Sequence, residues 1–258
     1  MESLGKKLLC TLVSKKLIFS VIGLSLLLAF STQENSAQKK FSRAYPATKN
    51  ISLQLTNRSG TVTVEGWEKN EVRISATLEA PAANIVPQNL SGTIVINVVK
   101  DNQGRGEVGN VNFTIKVPSS SSVNIETRMG NLTVRDVRGG LVRAHITSEG
   151  DITLTNIEAS TVAAENVIGD IFFDGVLKSG GSYRFASTRG NINVRIPSNS
   201  SFRMVATAPS SRNISLGAFS GAGLNFVSDG RRVVGQVGGG SATLNIVNQR
   251  GSIAFIAR

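Results

Sequence analysis

The sequence predicts an all-β chain wound into a β-solenoid (β-helix or roll-like) of about 20-residue rungs, with an antiparallel β cap at its N-terminal side. Three observations carry this expectation. One phrase occurs four times, as Thr127-Arg-Met-Gly130-Asn-Leu-Thr-Val134, Thr147-Ser-Glu-Gly150-Asp-Ile-Thr-Leu154, Asn166-Val-Ile-Gly169-Asp-Ile-Phe-Phe173 and Ser187-Thr-Arg-Gly190-Asn-Ile-Asn-Val194. A fixed period in this range marks a solenoid, in which each repeat covers its neighbour's apolar face. A second phrase, Val117-Pro-Ser-Ser-Ser-Ser-Val123, returns as Ile196-Pro-Ser-Asn-Ser-Ser-Phe202, 79 residues later and close to four periods. Finally, 26 glycines and only 5% aromatic residues suit short strands joined by tight turns.

In chain order, residues 1–37 read as a signal peptide or N-terminal membrane anchor. Lys6, Lys7, Lys15 and Lys16 precede an apolar run from Leu17 to Phe30. Those 14 residues are short for a spanning helix and right for the apolar region of an export signal. Ala29 and Ser31 put small residues at −3 and −1 of one cut site, and Ala37 offers a second. If the leader stays, residues 17–30 are the membrane contact. Both versions export the remainder, because the lysines come first. The destination is the periplasm, outer envelope or extracellular space. Cys10, the single cysteine, lies upstream of the apolar run and lacks the small residues that precede a lipid-attachment cysteine. The mature part thus has neither disulfides nor thiol chemistry.

Net charge is +11, and beyond residue 37 there remain 24 Lys and Arg against 15 Asp and Glu. For an exported protein this makes nucleic acid a poor partner; polysaccharide, lipid headgroups or an anionic cell surface fit better. The blander reading is that dispersed arginines keep an exposed sheet soluble and guard its edges.

Residues 38–50 read as a basic linker and 51–117 as a β-rich cap region continuous with the solenoid. Ile51–Leu55, Thr61–Val64 and Glu71–Leu78 alternate as strands do. Asn57-Arg-Ser-Gly60 is an outlying copy of the phrase. Trp67, the only tryptophan, stands in the turn before Glu71 and is expected to cover the open end of the core; a sugar-stacking role is the alternative. Residues 81–90 read as loop. Thr93–Val99 and Val111–Val117 flank a turn holding Gly104, Gly106 and Gly109, which reads as a long hairpin. No helix follows those glycines, so they do not form a phosphate cradle.

Residues 118–258 read as the solenoid. Period-2 alternation points Leu132/Val134, Ile152/Leu154, Ile171/Phe173 and Ile192/Val194 inward, joined by Val123/Ile125, Val162/Ala164 and Tyr183/Phe185 from the strand before each glycine. Thr133, Thr153, Phe172 and Asn193, then Arg135, Thr155, Asp174 and Arg195, point outward. Arg143 and His145 fall on the inward phase, and a one-residue bulge near Gly139-Gly140 is expected to return His145 to the surface; a buried, functional His145 is the alternative. Farther on, Asn213–Leu216 reads as a degenerate rung and Asp229-Gly230 as a turn. The run Gly238–Gly240 reads as a corner between sheets or a close approach to ligand. Gly251 opens a last rung, with Leu244 and Ile246 inward.

These phrases, with the ending Gly235-Gln-Val-Gly-Gly-Gly-Ser-Ala-Thr-Leu-Asn-Ile-Val-Asn-Gln-Arg-Gly-Ser-Ile, resemble the bacterial family of exported proteins called putative adhesins, over residues 48–256. The resemblance implies a β-solenoid carried outside the cytoplasm and supplies no site residue. The functional expectation is a non-enzymatic surface or envelope module that contacts a glycan or anionic surface; self-association stays open. The alternative is a polysaccharide lyase or hydrolase. It would use Asp151 and Asp170 of adjacent rungs, in the turn slot that Asn131 and Asn191 fill elsewhere. No catalytic, cofactor-binding or metal-binding residue is assigned.

Overall fold

The computed structural model describes residues 38–258; residues 1–37, where a signal peptide or membrane anchor is expected, lie outside the described residues. The strands in chain order are β1 (Lys39–Pro46), β2 (Ser52–Ser59), β3 (Val62–Trp67), β4 (Glu71–Leu78), β5 (Gln88–Leu90), β6 (Thr93–Asn97) and β7 (Val111–Pro118). The middle of the chain adds β8 (Ser122–Met129), β9 (Leu132–Arg135), β10 (Leu141–Glu149), β11 (Ile152–Ile157), β12 (Thr161–Ile168), β13 (Ile171–Gly175), β14 (Ser182–Arg189) and β15 (Ile192–Ile196). The last third contributes β16 (Phe202–Thr207), β17 (Ile214–Ser215), β18 (Leu224–Val227), β19 (Arg232–Val237), β20 (Ala242–Arg250) and β21 (Ile253–Ala257).

Each rung spends one strand in each of two facing sheets and turns between them at its glycine. The first sheet runs β1-β4-β7-β3-β9-β11-β13-β15-β21-β17 and the second β18-β19-β16-β20-β14-β12-β10-β8-β2-β6-β5. Every pair from β7-β3 through β21-β17 is parallel, as are those from β6-β2 through β20-β16. This is the expected β-solenoid. Leu132, Ile152, Ile171, Ile192 and their partners across the rung are fully buried between the sheets.

The N-terminal cap is antiparallel where β1, β4 and β7 pair and where β5 pairs with β6. Three expectations are corrected there. Residues 38–50 are not a linker, because Lys39–Pro46 forms the edge strand β1, with Phe41 and Tyr45 half-buried against the core. The β2–β3 unit is a full parallel rung stacked on β8–β9, not an antiparallel element. The stretch 98–110 is not a hairpin turn: β6 lies in the second sheet and β7 in the first, and the chain crosses between them through a helical turn, Val98–Asp101.

Both ends of the stack share a topology that serial coiling would not give. The rung β2–β3 sits inside β6 and β7, and the C-terminal rung β20–β21 sits inside β16 and β17. Segments 68–118 and 202–237 therefore fold outward as lids. At the C-terminal end the lid places Phe219 in the mouth of the core, edge-on to Phe202 at 5.3 Å and Phe255 at 6.0 Å. Mid-stack, Phe173 packs on Phe185 at 5.0 Å and on Tyr183 at 6.1 Å. The buried Tyr183 hydroxyl is satisfied, donating to the Ala159 carbonyl at 2.9 Å and accepting from Lys178 N–H at 2.7 Å.

Candidate functional site

The repeated phrase builds a corner, and most of its polar letters have a partner there. The corner glycines stack directly: a Cβ on Gly150 would lie 2.2 Å from the Gly130 carbonyl oxygen, and one on Gly169 would lie 2.2 Å from that of Gly150. Gly150 also has φ +147°, outside the comfortable range of a side-chain-bearing residue. Three residues before the glycine, the small polar residue is buried in every copy but Thr147, which the irregularity between Ile146 and Glu149 leaves exposed. Asn166 Nδ2 donates to the Gly150 carbonyl at 3.1 Å, and Asn248 Nδ2 to that of Gly190 at 2.8 Å.

After the glycine, the Asn or Asp side chain caps the next rung. Asn131 Oδ1 accepts from Asp151 N–H at 3.0 Å, Asp151 Oδ1 from Asp170 N–H at 2.7 Å, and Asp170 Oδ1 from Asn191 N–H at 2.7 Å. Asp151 and Asp170 are brought together, but each commits an oxygen to the backbone. Asp151→Ala should therefore cost about 1 kcal/mol of stability in urea unfolding, while Asp151→Asn, which keeps the acceptor, should cost nearly nothing.

On the outer face of the first sheet, Thr114, Thr63, Thr133 and Thr153 align on successive strands, ending at Phe172. The neighbouring column is ionic. Arg135 and Lys116 reach Glu65 at 3.1 and 3.3 Å, and Arg195 reaches the buried Asp174 at 2.7 Å. The Arg135 guanidinium, with lesser help from Lys116, holds the Glu65 carboxyl below its ordinary value against the opposing effect of burial. A depressed carboxyl adds stability above its ordinary range and loses it as pH falls through the lowered value. Arg135→Gln should thus move the Glu65 titration up toward the ordinary carboxylate range, as followed by NMR.

Trp67 belongs to this outer face, two residues beyond the outward Glu65, and does not cover the end of the core. Its Nε1 donates to the Glu71 carbonyl at 2.8 Å, and Lys69, Arg73 and Lys116 lie 5.2–5.6 Å from its ring centroid. Cations already occupy its surroundings, which leaves it poorly placed as a free sugar platform.

On the outer face of the second sheet, His145 stands in register between Glu126 and Glu165, its Nδ1 3.5 Å from Glu126. It is at the surface as expected, but the bulge lies elsewhere. Val142, Ala144 and Ile146 keep register with β8, and the extra residue enters between Ile146 and Glu149 rather than at Gly139-Gly140. The glycine run at 238–240 likewise is not a corner between sheets: it carries the chain from β19 to β20 across β16 within the second sheet.

The feature with the largest physical consequence is the partition of charge. Residues 175–258 hold ten Lys and Arg and one Asp, whereas residues 38–174 hold 14 of each sign. The fold places the basic segment in the last layers of the stack: β14–β15, β20–β21, β16–β17 and the β18–β19 hairpin. Arg184, Arg195 and Arg258 pair with Glu165 or Asp174. Among the described residues, Lys178, Arg189, Arg203, Arg212, Arg231, Arg232 and Arg250 have no carboxylate within 4.0 Å. Arg189 and Arg250 are register partners on neighbouring strands, both exposed.

Arg212 continues their corner into the terminal rung. Asn213 takes the backbone bond from Ile253 that Ser252 takes from Ile192, so Arg212, at φ +55°, stands where Gly251 stands one rung earlier. Arg189 and Arg250 thus stand on adjacent strands about 4.8 Å apart along the backbone, and Arg212 lies one residue further on in the terminal rung. By contrast, the groove of ≈ 400 Å³ along the middle of that corner has Glu149 and Asp151 as its charged lining and repels anions. Among the described residues, no three His, Cys, Asp or Glu side chains converge to hold a metal ion.

Stacked parallel rungs on a glycine corner define a β-solenoid. The chain belongs to the Toastrack DUF4097 family, whose model matches residues 29–253. No curated protein matches it. Among solved structures it is similar to a "putative cell adhesion protein" of Clostridium sporogenes, at 14% identity over 86% of this chain and 100% of that one, TM-score 0.48. A "putative adhesin" of Bacteroides fragilis is 10% identical over 85% of this chain and 97% of its own, TM-score 0.39. A "putative lipid binding protein" of Parabacteroides distasonis is 13% identical over 84% and 97%, TM-score 0.35. Among the described residues no helix is long and apolar enough to cross a membrane.

Proposed function

We propose that this domain is a non-enzymatic, exported module of the cell envelope that binds a polyanionic surface, a glycan or other anionic envelope component, through the basic end of its solenoid. One observation carries the reading: the whole net charge beyond residue 37 lies in residues 175–258, and the topology gathers it at one end with seven cations unpaired among the described residues. Arginines that merely solubilised a sheet would be spread along it, as the balanced charges of residues 38–174 are. Packing like charges on adjacent strands is unfavourable in the free protein, and a bound polyanion relieves it. The polysaccharide-enzyme reading rests on Asp151 and Asp170, whose carboxylates serve as backbone caps.

Retention of residues 38–258 on a sulfated or uronic polysaccharide column tests the proposal. Retention should fall steeply between low and physiological salt, because the contacts are screened over about 8–10 Å. Passage through the column at low salt, or retention indifferent to salt, rejects it. Incubation of Asp151→Asn with Asp170→Asn against the same polymers covers the enzyme reading: cleavage abolished by the pair would restore it.

A further inference from the structure

We infer that the partner of the basic end is the surface of an anionic lipid bilayer, engaged by the tip of the β18–β19 hairpin; this rests on the reading that the basic end binds polyanions. The hairpin is the outermost element of the second sheet, and its turn is Ser228-Asp229-Gly230. Phe226 shares the side of β18 that carries the buried Leu224 and pairs in register with the buried Val233, yet on this outermost strand it is 52% exposed. Val227 beside it is 37% exposed and pairs in register with Arg232. Arg231 and Arg232 are exposed, and among the described residues neither has a carboxylate within 4.0 Å.

The short tip thus carries an aromatic on the core-facing side of its edge strand, an aliphatic with Arg232 on the outer side, and Arg231 beside Asp229 at the turn, with Arg203 on the next strand toward the other end of the hairpin. Neither signal alone holds a protein on a bilayer: shallow apolar insertion is marginal, and surface charge alone is screened. Together they match an anionic interface, with Phe226 in the acyl boundary and the arginines at headgroup level. A polysaccharide would satisfy the arginines but leave Phe226 and Val227 in water. A second copy docked tip to tip would bring two sets of unpaired arginines into repulsion.

The opposite end supplies an internal comparison. Val86, Leu90 and Val99 are 54%, 55% and 51% exposed, with Lys39 and Lys40 beside Val86 and Lys100 next to Val99, but the cations of this half of the domain are offset by an equal number of carboxylates. Apolar exposure by itself would favour that end, whereas the combined signal favours the hairpin.

The test is flotation of residues 38–258 with vesicles of 30% phosphatidylglycerol in phosphatidylcholine, against pure phosphatidylcholine, alongside the polysaccharide column. The wild type should float with the anionic vesicles only. Phe226→Ser with Val227→Ser should weaken partitioning about tenfold. Arg231→Gln with Arg232→Gln should weaken it roughly 25-fold, near fivefold for each basic residue at the surface. Leu90→Ser with Val99→Ser should float as the wild type does. Melting temperatures confirm that each variant is folded, and emission of Phe226→Trp in a Trp67→Phe background should shift to the blue on vesicle binding. Column retention of the wild type without flotation overturns the lipid assignment and leaves the polyanion reading standing. Undiminished flotation of the Phe226/Val227 variant also overturns it, as does an unshifted tryptophan. Loss of both column retention and flotation in the wild type overturns the two together.

Discussion

Gly150→Ala is expected to remove about 3–5 kcal/mol of stability and to lower the melting temperature by about 10 °C, read by calorimetry. Two effects act at once. Alanine at φ +147° is strained whatever surrounds it. The added methyl would also stand 2.2 Å from the Gly130 carbonyl oxygen, so the two rungs must separate at their tightest contact. Separation lengthens the ladder bonds on both sides, because the Gly150 N–H donates to the Ile168 carbonyl while Gly130 N–H donates to Glu149. Gly104→Ala is the matched control: its φ is +78°, but nothing lies within 4 Å of the added atom, and the loss should stay near 1 kcal/mol. Equal losses at the two positions would show that stacking of the corner contributes nothing.

Phe219→Ala should cost about 3–5 kcal/mol, the usual range for removing a fully buried phenylalanine. Phe219 is 1% exposed and is the residue through which the C-terminal lid closes the core over Phe202 and Phe255. Its loss should be felt first in segment 202–237. Hydrogen exchange should therefore quicken in β16–β19 more than in β8–β13, which are walled by rungs on both sides. Uniform quickening along the stack would mean that the lid and the rungs unfold as one unit.

How far the sequence could be read follows from which physical signal each part carries. The rungs from Thr127 to Ile196 were legible because period-2 alternation and the corner glycine reinforce one another; every residue assigned inward there is buried. The capping role of Asp151 and Asp170 could be read from their equivalence with Asn131 and Asn191. His145 could be placed at the surface, but not its bulge, because an extra residue shifts the phase without marking where it enters.

Strand β1 escaped notice because only Phe41 and Tyr45 face the core, and four-residue spacing looks unpatterned. The lids escaped for a deeper reason. Alternation shows that 93–99 and 111–117 are strands but not which sheet each joins, and sequence order does not set stacking order. That 202–237 lies outside 242–257 is a long-range fact. Trp67 was within reach, since Thr63, Glu65 and Trp67 alternate onto one face. The charge partition needs only counting, yet it becomes a surface only once the topology sets those layers side by side.

The most direct measurement compares two fourfold variants of equal charge change on the anionic polysaccharide column. One carries Arg189→Gln, Arg212→Gln, Arg232→Gln and Arg250→Gln at the basic end; the other carries Arg58→Gln, Lys69→Gln, Lys100→Gln and Arg128→Gln in the balanced half. The first should elute at much lower salt than the wild type, and the second close to the wild type. If both elute at the same reduced salt, retention follows total charge alone, and the domain has no binding end.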